Sequence, residues 1–317
     1  MSRGIRKAWL GVAVVALLLT TGCKDFTVET MINADGSGTR AVTLEAGSVE
    51  NDSTGLTLDQ YRQLLGVTEQ RGWHLAWEEP PEGGERNAVF SRNARIPGID
   101  AWGKVSGDIT LQGALTGSPF ASVRCLNEVR ATTAQGAQST TYDYSETFDW
   151  YGLREAIVDF VATRLLEEVA REFPGTTLED RAELRGLVAG VTAMELPRLF
   201  DTSDEERASL PMVKTVGVYG TRILSRRGIA ATPADLEAIA VRVLDDPENR
   251  LEDFLATSLP GVYAVAPTNV ALSVTLPGTI VESNADAVED SMARWEFGIL
   301  DALRGPVTLH ATSELRK

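Results

Sequence analysis

The sequence of 317 residues contains only two cysteines and two histidines. Cys125 is the only cysteine besides Cys23, so no disulfide can form within the chain if Cys23 is modified. Cys125 shares one face of a predicted strand with apolar residues, which indicates a buried structural thiol. A zinc site or a Ser-His-Asp triad needs histidine converging with partners in one pocket. His74 and His310 each stand opposite the apolar face of a predicted strand, so we expect both to be exposed and neither to be catalytic.

The motifs of several large enzyme classes are also missing. There is no Gly-x-Ser-x-Gly, no Gly-rich loop before a lysine and no Gly-x-Gly-x-x-Gly. Acidic residues outnumber basic ones by 45 to 30, and a net charge of -15 argues against nucleic acid and against a broad grip on anionic lipid headgroups. We expect no enzymatic activity, no cofactor, no metal and no nucleic-acid partner. A hydrolase that uses carboxylates alone is the remaining enzymatic alternative, although Glu167 and Glu168 fall off the apolar stripe of their predicted helix.

The N-terminus has the layout of a secretory leader. Arg3, Arg6 and Lys7 precede an uninterrupted apolar run of 12 residues, Ala8 to Leu19. A membrane-spanning helix needs about 20 such residues, so the run is too short to span a bilayer. It closes on Leu-Thr-Thr-Gly-Cys at positions 19–23 and resembles the lipobox of bacterial lipoproteins, where the cysteine is acylated and the leader is removed in front of it.

The lipobox resemblance implies a signal peptide at residues 1–22 and a fatty-acid anchor, palmitate among its acyl chains, on Cys23. Loss of the three leader cations takes the formal net charge from -15 to about -18. An ordinary cleaved leader with an incidental cysteine is the alternative. The resemblance places the protein in the cell envelope, held to the membrane by lipid. Lys24 replaces the aspartate that retains lipoproteins in the inner membrane of enteric bacteria, which implies an outer-membrane location facing the periplasm if the organism has two membranes.

The period of the apolar residues divides the remaining chain into three stretches. Alternation of period two, typical of strands, covers residues 23–150 and returns over 259–317. Between them, residues 151–258 carry apolar residues at helical spacing. Late strands commonly pair with early ones, so the pattern predicts an α+β fold: an antiparallel β-sheet domain built from N- and C-terminal strands and split by a helical insertion.

Several local features carry more specific expectations. Asn33–Gly38 is predicted to be a hairpin turn, with a calcium loop as the alternative, although Leu44 stands where a bidentate glutamate is needed. Residues Val105 to Asp149 are predicted to be β-structure with a polar break at Ala134 to Gln138. A helix is predicted from about Leu178 to Val191, and Met212 to Ser225 is compatible with helix or strand.

The C-terminal part of the chain contains the segment Val274-Thr-Leu-Pro-Gly-Thr-Ile-Val-Glu-Ser-Asn-Ala-Asp-Ala, followed by Ala293-Arg-Trp-Glu-Phe297. These two segments together resemble the closing half of the LppM-type lipoprotein domain of mycobacteria and other bacteria. The opening half is similar as well, with a strand directly after the lipidated cysteine and an Asp-Gly-Ser-Gly turn. About 60 residues carry the resemblance. It implies a membrane-tethered α/β envelope domain that binds lipids or envelope components, with no catalytic residues to transfer. The chain departs from the family by its large helical insertion and by lacking the C-terminal transmembrane helix of some relatives.

Two groups of residues are candidates for ligand binding. Trp73, Trp77 and Trp295, with Trp102, are predicted to line an apolar cavity, or else to pack in the core between sheet and helices. Three arginines lie close together before a glycine, where they suit a phosphate or carboxylate, or else the negative end of a helix: Arg222, Arg226 and Arg227.

These patterns favour a non-enzymatic envelope lipoprotein that binds a hydrophobic or lipid-like ligand, or an envelope component, in a groove between sheet and helices. The alternative is a structural or assembly lipoprotein that engages other envelope proteins through its helical face.

Overall fold

The computed structural model describes residues 23–48, 56–78, 87–107, 109–201, 209–245, 254–265 and 269–317. The predicted leader, residues 1–22, lies outside these residues and stays a prediction. The chain forms two compact units, which we call the β unit (residues up to 151 together with 256–317) and the helical unit (152–255). The helical insertion was predicted at residues 151–258, whereas the helical unit of the structure covers residues 152–255.

Both units follow a simple element order. Before the insertion, the β unit contains β1 (Cys23–Ile32), β2 (Gly38–Ser48), α1 (Leu58–Leu65), β3 (His74–Glu78), β4 (Asn87–Ile96), a 3-10 helix (Ile99–Val105), β5 (Arg124–Gln135) and β6 (Ser139–Tyr151). After the insertion, it contains α6 (Pro260–Val265), β7 (Val270–Thr275), β8 (Thr279–Ser283), β9 (Ala287–Glu289), β10 (Met292–Phe297), α7 (Ile299–Arg304) and β11 (Val307–Arg316). The helical unit contains α2 (Leu153–Glu172), α3 (Leu178–Asp201), α4 (Pro211–Ser225) and α5 (Pro233–Asp245).

The α+β class and the predominance of antiparallel pairing are confirmed, but the strands form two sheets. One has seven strands in the order β3-β4-β2-β1-β7-β10-β9, and the other has four in the order β5-β6-β11-β8. Each combines strands from before and after the helical insertion, as predicted. One pair, β1 with β7, is parallel. A parallel neighbour needs a long crossover connection, and the stretch between these two strands contains the entire insertion.

The core of the β unit lies on the alternating apolar faces of both sheets. In β1, Phe26, Val28 and Ile32 are at most 3% exposed, whereas Glu29 and Met31 point to solvent. This period of two is what the sequence predicted for the strand. Core side chains of the seven-stranded and the four-stranded sheet join in a single buried cluster.

The turn between β1 and β2 is stabilised by Asp35. Its Oδ1 accepts hydrogen bonds from the backbone N–H of Ser37 at 2.9 Å and from the Ser37 hydroxyl at 2.6 Å. These bonds hold the pKa of Asp35 below its ordinary value. Gly36 adopts a φ of +80°, which favours glycine. The predicted turn is confirmed, and Leu44 is buried in the core, where it contributes nothing to a calcium shell.

The helical unit confirms some predictions and corrects others. Helix α2 matches the predicted apolar stripe, and the segment left open as helix or strand is helix α4, with Pro211 at its first position. Helix α3 does not end near Val191 but continues to Asp201, because buried Leu196 extends its apolar face by another turn. No helix in the described part of the chain is long and apolar enough to cross a membrane.

The prediction of β-structure from Val105 to Asp149 was wrong in its first part, whereas the predicted polar break at Ala134 to Gln138 coincides with the turn between β5 and β6. The described residues of this part, 106–107 and 109–123, are largely irregular, and strand pairing resumes at Arg124. Three glycines and a proline in this stretch break the strand alternation, and Gly107 and Gly117 adopt positive φ.

Candidate functional site

A small apolar cavity lies inside the β unit. Its walls include side chains of β1, β6, β7, β10 and α7, among them Phe26, Phe148, Val270, Phe297 and Ala302. The rings of Phe148 and Phe297 meet with centroids 5.0 Å apart at 50°, a tilted arrangement favoured by aromatic quadrupoles. The cavity volume within which the centre of a water molecule fits is about 30 Å³. That is room for very few atoms.

The free thiol of Cys125 also lines this cavity. Cys125 is 1% exposed, and burial, followed by the nearby charges of Asp149 and Glu146, raises the pKa of its thiol to about 12. The thiol is therefore protonated near neutral pH and is a poor nucleophile. The prediction of a buried structural cysteine is confirmed.

The cavity lies close in sequence to the predicted lipid anchor. Phe26 is the third residue after Cys23, and both belong to β1. Three strand residues span about 10 Å. The attachment point of a lipid on Cys23 would therefore lie within about 10 Å, measured along the strand, of the cavity wall at Phe26.

The three tryptophans proposed for ligand binding do not meet. Trp73 and Trp295 are buried, at 2% and 4% exposure, whereas Trp77 is 37% exposed. Five strand spacings separate β3, which contains Trp77, from β10, which contains Trp295. At about 4.8 Å each this is roughly 24 Å. Trp102, fully buried, donates from Nε1 to the carbonyl of Gly36 at 3.0 Å.

Trp295 is held in the core by a hydrogen bond. Its Nε1 donates to Oδ1 of Asn284 at 2.9 Å, and the same oxygen accepts the backbone N–H of His310 at 2.8 Å. None of Trp73, Trp77 and Trp295 belongs to the cavity wall described above. The cavity is lined mainly by phenylalanine and aliphatic side chains, together with Trp150 and Cys125. Of these residues, the sequence singled out only Cys125, and for burial rather than for ligand binding.

The three arginines proposed for anion binding lie at the C-terminal end of α4 and just beyond it, and two of them pair with carboxylates of α3. Arg226 contacts Glu183 at 2.9 Å, and Arg227 contacts Glu179 at 2.5 Å and Asp180 at 3.2 Å. Nε of Arg226 also donates to the carbonyl of residue 222 at 3.3 Å, so it satisfies the negative helix end.

Arg222 makes a different contact. Its guanidinium carbon lies 5.2 Å from the ring centroid of Tyr219, one turn earlier on α4, a distance suited to a cation–π interaction. Tyr219 is 51% exposed and neighbouring Val218 is 40% exposed. Arg222 and these two side chains form an exposed basic and apolar surface on α4.

The sequence reasoning missed a buried ion pair between Arg40 of β2 and Glu146 of β6. Both side chains are 0% exposed, with Nη2 2.5 Å from Oε1 and Nη1 3.1 Å from Oε2. Thr30 accepts from Arg40 at 3.0 Å, and Asn127 donates to Glu146 at 2.7 Å. The Tyr144 hydroxyl donates to Glu146 at 2.5 Å, and burial and that carboxylate raise the pKa of Tyr144. The network joins the two sheets.

One signal of this network is present in the sequence. Arg40 falls in phase with Val42 and Leu44, and Glu146 falls in phase with Tyr144 and Phe148, so each charge sits on an apolar face. The sequence does not indicate that these two residues, 106 positions apart, face each other.

Glu168 corrects another expectation, since it is 8% exposed rather than solvated and pairs with Arg171. Asp180 is also buried, and it accepts hydrogen bonds from the backbone and hydroxyl of Thr177 at 2.9 and 2.7 Å. These bonds, with Arg227 as a smaller cause, hold the pKa of Asp180 below its ordinary value. Glu168 and Asp180, the buried carboxylates among the described residues of the helical unit, thus both have structural partners. Across the residues that the structure describes, no group of three or more metal-ligating side chains comes together.

Comparisons with known proteins give little beyond the fold itself. No protein-family model matches the chain, and no curated protein matches it. A structural similarity links it to the NMR structure of the folded domain of the Mycobacterium tuberculosis LppM protein, covering 94% of this chain and 93% of the other at 9% sequence identity, with a TM-score of 0.30. This amounts at most to a distant relation of fold and says nothing about function.

Proposed function

We propose that the protein is a membrane-anchored lipoprotein of the cell envelope, without enzymatic activity, that binds a hydrophobic or lipid-like ligand in the β unit. The observation that carries the proposal is the apolar cavity bounded by Phe26, Phe148 and Phe297. Hydrophobic and aromatic lining is typical of sites for apolar ligands. The predicted anchor on Cys23 would keep this cavity near a bilayer, which is a source of such ligands.

The cavity must widen to admit a fatty acyl chain, because its present volume suits only a few atoms. The wall best suited to move is α7, a helix of six residues that contributes Ala302. Gly298 precedes this helix and Gly305, with φ of +146°, follows it. Hinges are short segments that absorb changes in φ and ψ, and glycine does so without steric cost. Outward movement of α7 would open the cavity at the wall that Ala302 forms, while the paired strands β7 and β10 stay in place.

The proposal is tested by native mass spectrometry of residues 24–317, produced in soluble periplasmic form and sprayed without detergent. We expect an added mass that matches a lipid. In Ala302→Leu the larger side chain occupies the cavity, so the bound fraction should fall several-fold. Ala287→Leu adds the same atoms at an exposed position and should retain the ligand. Equal loading of all three proteins, or a clean unliganded mass for the wild type, would contradict the proposal.

A second candidate function, assembly with other envelope proteins, is favoured by the exposed surface of α4. Val218 and Tyr219 lie there beside Arg222, and tyrosine and arginine are enriched where proteins bind one another. Affinity purification of the full chain from envelope extracts should recover a partner that is lost with Tyr219→Ser. The variant Met194→Ser, at an exposed position on α3, is the control that should keep it.

A further inference from the structure

The four-stranded sheet ends on one side in β5, and the outer edge of this strand is covered over its first half. The backbone N–H groups of Cys125 and Val129 and the carbonyl of Asn127 all point away from β6. Each forms a hydrogen bond of 2.8 Å with the segment 106–111. That segment therefore closes the edge from residue 125 to residue 129.

The second half of the same edge is open. Because backbone direction alternates along a strand, the N–H and C=O groups of Ala131, Thr133 and Gln135 also point away from β6. Among the residues that the structure describes, none donates to or accepts from these outward backbone groups. All residues from Thr132 to Gln138 are exposed.

The open edge lacks the devices that usually block strand addition. Natural edge strands carry charged side chains, proline or bulges that prevent pairing with another chain. From Ala131 to Tyr142 the sequence has no charged residue and no proline, in a chain of which 24% is charged. The pairing of β5 with β6 is also regular over its whole length, without a bulge.

We propose that this edge is a homotypic interface, at which β5 of a second copy adds antiparallel across a two-fold axis at Thr133. The register follows from the structure. Pairing cannot extend towards Val129, whose outward groups are occupied, or past Gly136, whose N–H closes the hairpin onto Ser139 at 2.8 Å. In this register Thr133 of one copy lies opposite Thr133 of the other, and Ala131 of each copy lies opposite Gln135 of the other. These three pairs exchange two backbone hydrogen bonds each, which gives about six between the chains.

A second copy suits this edge because the strand is complementary to itself. In this register Thr132 lies opposite Ala134 and Thr133 opposite Thr133, so no like charges meet although the chain has a formal net charge of -15. Cross-strand threonine pairs are favourable, and a two-fold dimer is the commonest closed assembly. Five residues on each side bury far less than the roughly 1,200 Å² of stable interfaces, so the dimer is weak and reversible.

A disulfide trap tests the register directly. In hydrogen-bonded antiparallel pairs the Cα atoms lie about 5.5 Å apart, within the 4.4–6.8 Å that a disulfide spans. The full chain bearing Thr133→Cys, purified in detergent micelles and mildly oxidised, should give a covalent dimer on a non-reducing gel. Thr132→Cys is the matched control, because position 132 of one copy lies diagonally across from position 132 of the other, at about 7–8 Å. We expect at least a several-fold excess of dimer for Thr133→Cys over this control and over wild type.

Equal cross-linking of the two cysteine variants, or none in either, overturns the proposal, as does a cross-link to a different protein. A second measurement uses sedimentation velocity over a concentration series. Thr133→Pro removes an outward donor that β6 does not use, so it should abolish a concentration-dependent dimer, whereas Thr133→Val should keep it. A wild-type chain that remains monomeric at about 1 mM also overturns the proposal.

Discussion

The β unit and the helical unit place their ion pairs in opposite environments. Arg40 and Glu146 are fully buried between the two sheets. Most pairs of the helical unit lie at the surface, such as Arg226 with Glu183, whose side chains are 63% and 48% exposed. A buried charge is tolerated only with its partner in place, whereas exposed charges are hydrated with or without one. Charge therefore selects which faces pair in the β unit and adds little to the stability of the helical unit.

Two polar contacts, one in each unit, lie at very different separations in sequence. In the helical unit Thr232 and Asp235 cap α5 across three residues, with the Thr232 N–H and hydroxyl both 2.8 Å from Oδ2. In the β unit Arg40 and Glu146 are separated by 106 positions. Local partners form as soon as a helix turn forms, but distant ones require the whole sheet arrangement.

The largest effect is expected from Glu146→Ala, which leaves the guanidinium of Arg40 buried without its carboxylate. We expect the free energy of unfolding of the β unit to fall by about 3–5 kcal/mol. All tryptophans outside the leader lie in the β unit, so tryptophan fluorescence in a urea titration reports on this unit alone.

The control for that prediction removes both charges together. Arg40→Met combined with Glu146→Leu should destabilise less than Glu146→Ala, because no unpaired charge is left and only the neutral donors Tyr144 and Asn127 lose their acceptor. A Glu146→Ala variant that unfolds within about 1 kcal/mol of wild type would show that the pair is not buried in solution.

A smaller effect is expected from Thr232→Ala in the helical unit. The substitution removes the hydroxyl that accepts the N–H of Asp235 at 3.3 Å and donates to its carboxylate. Loss of an N-cap costs about 1 kcal/mol. Circular dichroism at the helix band should show the loss, while tryptophan fluorescence should not change. Thr232→Ser keeps a capping hydroxyl and should behave like wild type.

The same cap predicts a pH dependence. Hydrogen bonds from Thr232 hold the pKa of Asp235 below its ordinary value, so ionised Asp235 favours the folded helix. Its contribution is complete above the unfolded pKa of about 3.9 and is lost as the pH falls through the lower folded pKa. Asp235→Asn should therefore be less stable than wild type at pH 6, and this difference should shrink at lower pH. A difference that grows on acidification would contradict the assigned sign.

The smallest effect is expected from Arg226→Gln. It breaks a pair that is half exposed on both sides, and exposed pairs contribute about 0.2–1 kcal/mol and less at high salt. Measured by helix-band circular dichroism at low and high ionic strength, the variant should approach wild type as salt increases. A loss comparable with that of Glu146→Ala would remove the contrast between the two units.

Elements that rest on local periodicity and local hydrogen bonds could be predicted from the sequence. The helical spacing of apolar residues over 151–258 predicted helices such as α2, and the glycines of Asn33–Gly38 predicted the turn between β1 and β2. Alternation predicted β1 and β4, and the phase of Cys125 predicted its burial. These features succeed because each depends on residues at most a few positions apart.

Only the tertiary structure decided which strands are neighbours and which side chains share a space. Strand alternation shows that one face of a strand is buried, but it does not show which element packs against that face. It therefore cannot predict that the strands form two sheets or that β1 pairs with β7 in parallel. For the same reason Trp77 and Trp295 looked like one site yet lie five strands apart, while Phe26 and Phe297 meet at the cavity. Contacts between residues hundreds of positions apart follow from the packing of complete sheets, and a local pattern carries no record of them.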